Sequence, residues 1–130
     1  MKFVKFLLPV VEAETWVSPR TGEEFPFSWT DKAIYSLFRS RHNYFMDTFG
    51  KHDDKQAVIG ECLGISREKV SRFLSLLTKE GVVESQKGGN YQNNYTKLNN
   101  FCVTKKKDGR VIKTTVFGYD SIEDEEEIPW

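Results

Sequence analysis

Between Ser66 and Lys79 the chain sets Arg67, Glu68, Lys69, Ser71, Arg72, Ser75 and Lys79 among the apolar residues Val70, Phe73, Leu74 and Leu77. Advancing about 100° per residue, the apolar four share one helix face, and Glu68, Arg72, Ser75 and Lys79 lie within about 40° of the opposite direction. Ser71 and Lys69 flank that outward face, and Arg67 stands near its N-terminal end. These side chains suit the edges and backbone of DNA. Arg67 or Arg72 matches the paired acceptors of guanine, Glu68 the amino group of cytosine, and Ser66 or Ser71 a phosphate near a helix N-terminus. The competing account of the same face is a solvated helix on which Glu68 and Arg72, four residues apart, pair with each other for a few tenths of a kcal/mol.

The elements that would hold this helix are legible around it. Asp53 can cap a preceding helix through a capping box with Gln56, and Val58, Ile59, Cys62 and Leu63 recur at helical spacing. Gly64 supplies the left-handed residue that ends that helix, Ile65 plugs the corner, and Ser66 caps the second helix, which ends at Gly81. Gly60 lacks a side chain where the following helix must cross closely. The pattern predicts a helix-turn-helix.

With Gly60, Leu63-Gly64-Ile65-Ser66, Val70 and Leu77-Thr78-Lys79-Glu80-Gly81-Val82-Val83 in place, residues 30–98 resemble the winged helix-turn-helix family, and among its members the phage and plasmid replication proteins. A first helix capped by Thr30 or Asp31, with Ala33, Ile34, Leu37 and Phe38 inward, would precede the motif. Val82 to Gln86 reads as a strand, Lys87-Gly88-Gly89-Asn90 as a turn, and Asn94 to Leu98 as the return strand, in the position of the wing. The resemblance implies that the wing reaches phosphates or the minor groove, through Lys87, Asn90, Tyr91 and Asn93. Tyr91 can also stack on an unpaired base. The alternative is a polar solvent turn.

A further hairpin is predicted over residues 99–119, turning at Asp108-Gly109 and carrying Lys105, Lys106, Lys107, Arg110 and Lys113 around its tip. Residues 1–29 read as an N-terminal hairpin around Ser18-Pro19-Arg20-Thr21-Gly22, its Trp16, Phe25, Phe27 and Trp29 serving as core or as a dimer contact. The expected fold class is α+β: a three-helix core with a β-wing, N- and C-terminal β-hairpins, and a disordered acidic tail over residues 120–130.

Charge agrees with this division. The chain carries 19 Lys+Arg and 19 Asp+Glu in 130 residues, yet residues 67–119 hold a net +7 while Asp120 to Trp130 hold six acids and no base. A basic half is the electrostatic footprint of a nucleic-acid binder. The stretch 3–11 is too short to span a bilayer and lacks a signal-peptide cleavage pattern, so a cytoplasmic protein without a membrane partner is expected. Cys62 and Cys102 form no CxxC, and His42 and His52 show no metal-ligand spacing, so reduced thiols, no metal and no cofactor are expected. No GxxxxGK, HExxH or GxSxG occurs, and the carboxylate pairs Glu23-Glu24 and Asp53-Asp54 are accounted for by a turn and a helix start, so no enzyme is expected.

The chain closes on Glu125, Glu126, Glu127, Ile128, Pro129 and Trp130. Acids followed by Ile-Pro and an aromatic residue resemble the C-terminal tip of bacterial single-stranded-DNA-binding proteins, with Trp130 standing where Phe is usual. That resemblance implies a docking peptide for replication, recombination and repair enzymes; a plain solubilising tail is the alternative. The leading expectation is a phage- or plasmid-type DNA-binding protein of replication or recombination, gripping duplex or single-stranded DNA and recruiting such host enzymes, with service as a single-stranded-DNA-binding protein in its own right included in that expectation. The alternatives are a dimeric winged-helix transcriptional regulator, and an interaction protein whose tail mimics the docking peptide.

Overall fold

The computed structural model describes residues 5–87 and 93–119, with the backbone alone described for Lys87 and Asn93. Among them the fold is α+β, with four helices and two antiparallel sheets. The order is α1 (Leu8–Glu12), β1 (Thr15–Val17), β2 (Glu24–Pro26), α2 (Trp29–Phe49), β3 (Asp53–Asp54), α3 (Gln56–Leu63), α4 (Arg67–Lys79), β4 (Val83–Lys87), β5 (Asn93–Leu98), β6 (Phe101–Lys107) and β7 (Arg110–Val116).

The middle of α2 is buried all round, Ile34 through Arg39 without a break, which marks it as the central post of the molecule. Ser28 caps it, accepting from the Asp31 N–H at 3.1 Å, rather than the expected Thr30 or Asp31. The serine hydroxyl sits one residue before the first helical residue, where the free N–H groups point. On one side of α2, β3, β5 and β4 form a sheet in the order β3-β5-β4. On the other sheet the order is β2-β1-β6-β7, so the N-terminal hairpin and the 99–119 hairpin, separate extensions by sequence, merge through the pairing of Trp16 with Val103. Lys107 faces Arg110 across the two-residue turn expected at Asp108-Gly109.

A single core joins these layers: Ile34, Tyr35 and Phe38 from α2, Ile59 from α3, Val70, Phe73, Leu74 and Leu77 from α4, Tyr95 and Leu98 from β5, and Trp16, Phe101 and Val103 from the four-stranded sheet. Trp16 is its hub, stacked on Phe25 at 4.6 Å and edge-on to Phe73 and Phe101. Truncating such a ring costs about 3–5 kcal/mol. Trp29 departs from the group: 65% exposed at the start of α2, it carries the Lys32 ammonium over its ring at 4.6 Å. Within residues 1–29, expected as a hairpin, Leu8–Glu12 form the helix α1; Pro9 in its first turn needs no N–H partner there.

No helix among the described residues is long and apolar enough to cross a membrane.

Candidate nucleic-acid interface

Local chemistry builds the turn between α3 and α4. Gly64 has φ 68°, the left-handed conformation that ends α3, and the Ile65 N–H returns to the Gly60 carbonyl at 2.9 Å. That return brings the Ile65 carbonyl so close that a Cβ on Gly60 would lie 2.5 Å from it. Gly60 thus serves the turn, and the same Cβ would also lie 3.6 Å from the Arg67 nitrogen at the start of α4. Ser66 caps α4, accepting from the Lys69 N–H at 3.3 Å, and Glu68 near the start and Lys79 near the end complement the helix dipole.

Two expectations about α3 need correcting. Asp53 does not cap it: Asp53-Asp54 form strand β3, paired with Asn93 and Asn94, and α3 begins at Gln56 behind Lys55, which makes no side-chain cap. Asp54 is unavailable because its carboxylate is held elsewhere, as described below. Nor do Val58, Ile59, Cys62 and Leu63 all face inward. Ile59 and Gly60 are buried, Val58 and Leu63 are half-buried, and Cys62 is exposed, because this short outer helix meets its neighbours along one narrow stripe.

The far end of α4 is clamped by the N-terminal hairpin and by Asn99 between β5 and β6. Arg20 Nη1 donates to the Lys79 carbonyl at 2.8 Å, Ser18 Oγ donates to the Glu80 carbonyl at 3.2 Å, and Asn99 Nδ2 donates to the Gly81 carbonyl at 2.8 Å. A guanidinium at a helix C-terminus satisfies an orphan carbonyl and the dipole together. Below, Phe73 is wedged between Trp16 and Phe27. The helix is therefore fixed at both ends and along its inner face.

Its outer face is open. Val70, Phe73, Leu74 and Leu77 are buried, whereas Ser66, Arg67, Glu68, Lys69, Arg72, Ser75 and Lys79 are exposed and Ser71 is half-buried. The Glu68 to Arg72 pair is not formed: among the described residues, Arg67, Arg72 and Lys79 enter no ion pair. Where α4 meets the first turn of α2, Asp31, Lys69, Arg72, Phe73 and Leu76 line a shallow cleft of about 260 Å³. Burial pushes the Asp31 carboxyl up, while Ser28 and Lys69 pull against that shift.

The other predicted cations lie elsewhere. Lys105 is engaged with Glu12 of α1 at 2.7 Å, and the Lys106 N–H donates to the Glu14 carboxylate. The side chains of Lys106, Lys107 and Arg110 are exposed at the tip of the β6–β7 hairpin, which belongs to the four-stranded sheet and not to the sheet of β4 and β5. Asn90 and Tyr91, and the tail residues Glu125, Glu126, Glu127, Ile128, Pro129 and Trp130, lie outside the described residues, as do the side chains of Lys87 and Asn93.

A buried polar chain had no counterpart in the sequence reading. Arg41 of α2 grips Asp54 with two parallel bonds, Nε to Oδ2 at 2.7 Å and Nη2 to Oδ1 at 2.8 Å. His52 Nε2 meets Asp54 Oδ2 at 3.0 Å, the Lys55 N–H donates to Oδ1 at 2.9 Å, and His52 Nδ1 meets His42 Nδ1 at 2.9 Å. Burial alone would raise Asp54, but the bonds from His52 and Arg41 outweigh it and hold the carboxyl below its usual range. An ionised Asp54 makes His52 Nε2 the donor in that bond. Among the described residues, His42 Nε2 is buried with no hydrogen-bond partner. Burial, with the neighbouring His52, pushes His42 down to about 4. This chain ties α2 to β3 and to the start of α3, and so sets the frame in which α4 is held. Among the described residues no group of three or more His, Cys, Asp or Glu side chains is placed to hold a metal ion.

No protein-family model matches this sequence, and no curated protein is similar to it.

Proposed function

We propose that α2, β3, α3, α4, β4 and β5 form a winged helix that binds DNA, with α4 entering the major groove and the β4–β5 hairpin beside it as the wing. One observation carries the proposal: α4 is anchored at both ends and along its core side, yet presents Arg67, Arg72 and Lys79 outward with no ion pair among the described residues. Three exposed cations on a rigid helix with an open face suit a polyanion, and the helix width suits a groove about 12 Å wide. The order of elements, and a sheet in which β5 lies between β3 and β4, support the winged-helix assignment. The exposed Lys106, Lys107 and Arg110 would add phosphate contacts from a second hairpin.

The proposed role is in replication or recombination of a phage or plasmid type, and that part comes from the sequence resemblances alone. Residues 120–130 would then recruit the host enzymes that dock on the tips of single-stranded-DNA-binding proteins. Deleting Asp120 to Trp130 should abolish their pull-down without weakening DNA binding; undiminished pull-down refutes the recruiting role.

Fluorescence anisotropy with a labelled 20-base-pair duplex and with the matching single strand tests the DNA part. If about six phosphates are contacted, affinity should fall roughly 10³-fold between 50 and 200 mM salt. The Arg72→Ala and Lys79→Ala double variant should bind at least tenfold more weakly at 50 mM salt, with a salt slope shallower by up to about two. Salt-independent binding, or a variant that binds like the parent, would reject the proposed face.

A further inference from the structure

The last two turns of α2 leave the core. His42 and Asn43 are the final buried residues of the helix; Tyr44, Asp47, Thr48 and Phe49 are exposed, and Phe45 and Met46 are half-buried. At about 100° per residue, Tyr44, Phe45, Thr48 and Phe49 fall in one stripe about 140° wide. The ring centroids lie 5.6 Å apart for Tyr44 and Phe45, 6.4 Å for Tyr44 and Phe49, and 5.9 Å for Phe45 and Phe49, so the three rings form one patch. Tyr44 is 45% and Phe49 60% exposed. A contiguous aromatic surface of this kind marks a place where something docks.

The charges around the patch select its occupant. Asp47 stands on the Tyr44 side of the stripe, exposed and in no ion pair among the described residues. Lys51 stands on the other side, between the C-cap Gly50 and His52, whose ring stacks on Phe45 at 5.0 Å. Its side chain is 71% exposed and approaches Asp53 only to 4.0 Å. Arg41 lies over the Phe45 ring but is committed to Asp54. With Asp53 and Lys55 exposed in the same turn, the rim carries two acids and two bases. A rim without net charge gives a polyanion no attraction, whereas a second copy related by a twofold axis along the stripe sets the Asp47 of each against the Lys51 of the other. We propose that the end of α2 is a homodimer contact, in which Tyr44, Phe45 and Phe49 pack on the same residues of a second copy and Asp47 pairs with Lys51 across the axis. The patch offers on the order of 400 Å² per copy, about half of a standard interface, so the pair is reversible, with Kd on the order of 0.1 mM. The contact forms whether or not the protein binds DNA.

Sedimentation velocity of the full chain without DNA, from about 10 μM to about 1 mM at 50 mM salt, tests it. The expected result is a passage from monomer to dimer across that range, weakened at least about tenfold by Phe49→Asp. The charged pair gives the sharper readout. Asp47→Lys alone and Lys51→Asp alone should each weaken association about tenfold, because each sets like charges opposite one another twice. An equimolar mixture of the two variants should associate within about threefold of the parent, since one copy then brings two bases and the other two acids. All three positions are exposed, so circular dichroism should stay unchanged, and if Phe49→Asp fails to fold the charge variants carry the test. A dimer whose charge variants are not rescued by mixing overturns the proposal, because another face then joins the copies. A monomer at about 1 mM also overturns it: single-strand affinity lost in Phe49→Asp would then assign the rings to stacking on bases, and a dimer that forms only after deletion of Asp120 to Trp130 would assign them to that segment.

Discussion

Acidification should destabilise the protein through one buried ring. His42 is fully buried and neutral in the fold, with a pKa near 4, against an ordinary value of 6.5. The unfolded chain therefore takes up a proton below pH 6.5 that the folded chain refuses until about pH 4. Stability from this site is complete above pH 6.5, declines as pH falls through the window, and is flat below it. Within the window the slope is about 1.4 kcal/mol per pH unit, so the whole window costs about 3 kcal/mol, a large share of a typical domain's stability. Urea denaturation at pH 7, 6 and 5 measures it, compared with His42→Gln, whose amide can hydrogen-bond to His52 but does not titrate. Asp54, held below the usual carboxylate range, loses its contribution only at lower pH, so it does not confuse this interval. The gap in unfolding free energy between parent and variant should shift by at least about 1 kcal/mol from pH 6 to pH 5, to the parent's disadvantage. A gap that stays constant with pH would mean that His42 is not held neutral by burial.

Three further substitutions probe the frame around α4. Gly60→Ala forces a methyl to within 2.5 Å of the Ile65 carbonyl and should cost about 2 kcal/mol by denaturant titration; an unchanged midpoint would contradict the tight turn. Arg41→Ala leaves Asp54 buried without its cation and should cost about 3–5 kcal/mol, with Arg41→Lys restoring only part because an ammonium cannot make both parallel bonds; full rescue by lysine would refute the two-bond geometry. Arg20→Ala removes the cation from the end of α4 and should cost at most about 1 kcal/mol, read from the thermal midpoint; a loss several times larger would assign Arg20 a different role.

What the sequence made legible was local. The turn Leu63-Gly64-Ile65-Ser66 and the inward set Val70, Phe73, Leu74 and Leu77 depend on backbone conformation and helical period, both written within a few residues, and the structure places them as expected. The pairing of Trp16 with Val103 joins strands 87 residues apart, and no local pattern states it. The Asp53-Asp54 dipeptide hides its roles for a related reason: Asp53 is taken by pairing with Asn94 in β3 and Asp54 by Arg41 and His52, and none of these partners follows from the local pattern. His42 and His52, unremarkable by spacing, converge because α2 runs on to Phe49 and the chain turns back at Gly50. Of the candidate site, the exposed face of α4 was readable by period alone, whereas the engagement of Lys105 with Glu12 was not.

The central claim is that the outward face of α4 meets DNA. A ¹⁵N–¹H correlation titration of the full chain with a 20-base-pair duplex at 50 mM salt tests it residue by residue. The account predicts that amides from Ser66 to Ser75 move most and lose their shifts when the salt is raised to 200 mM. Shifts confined to other elements while the α4 amides stay still would contradict it.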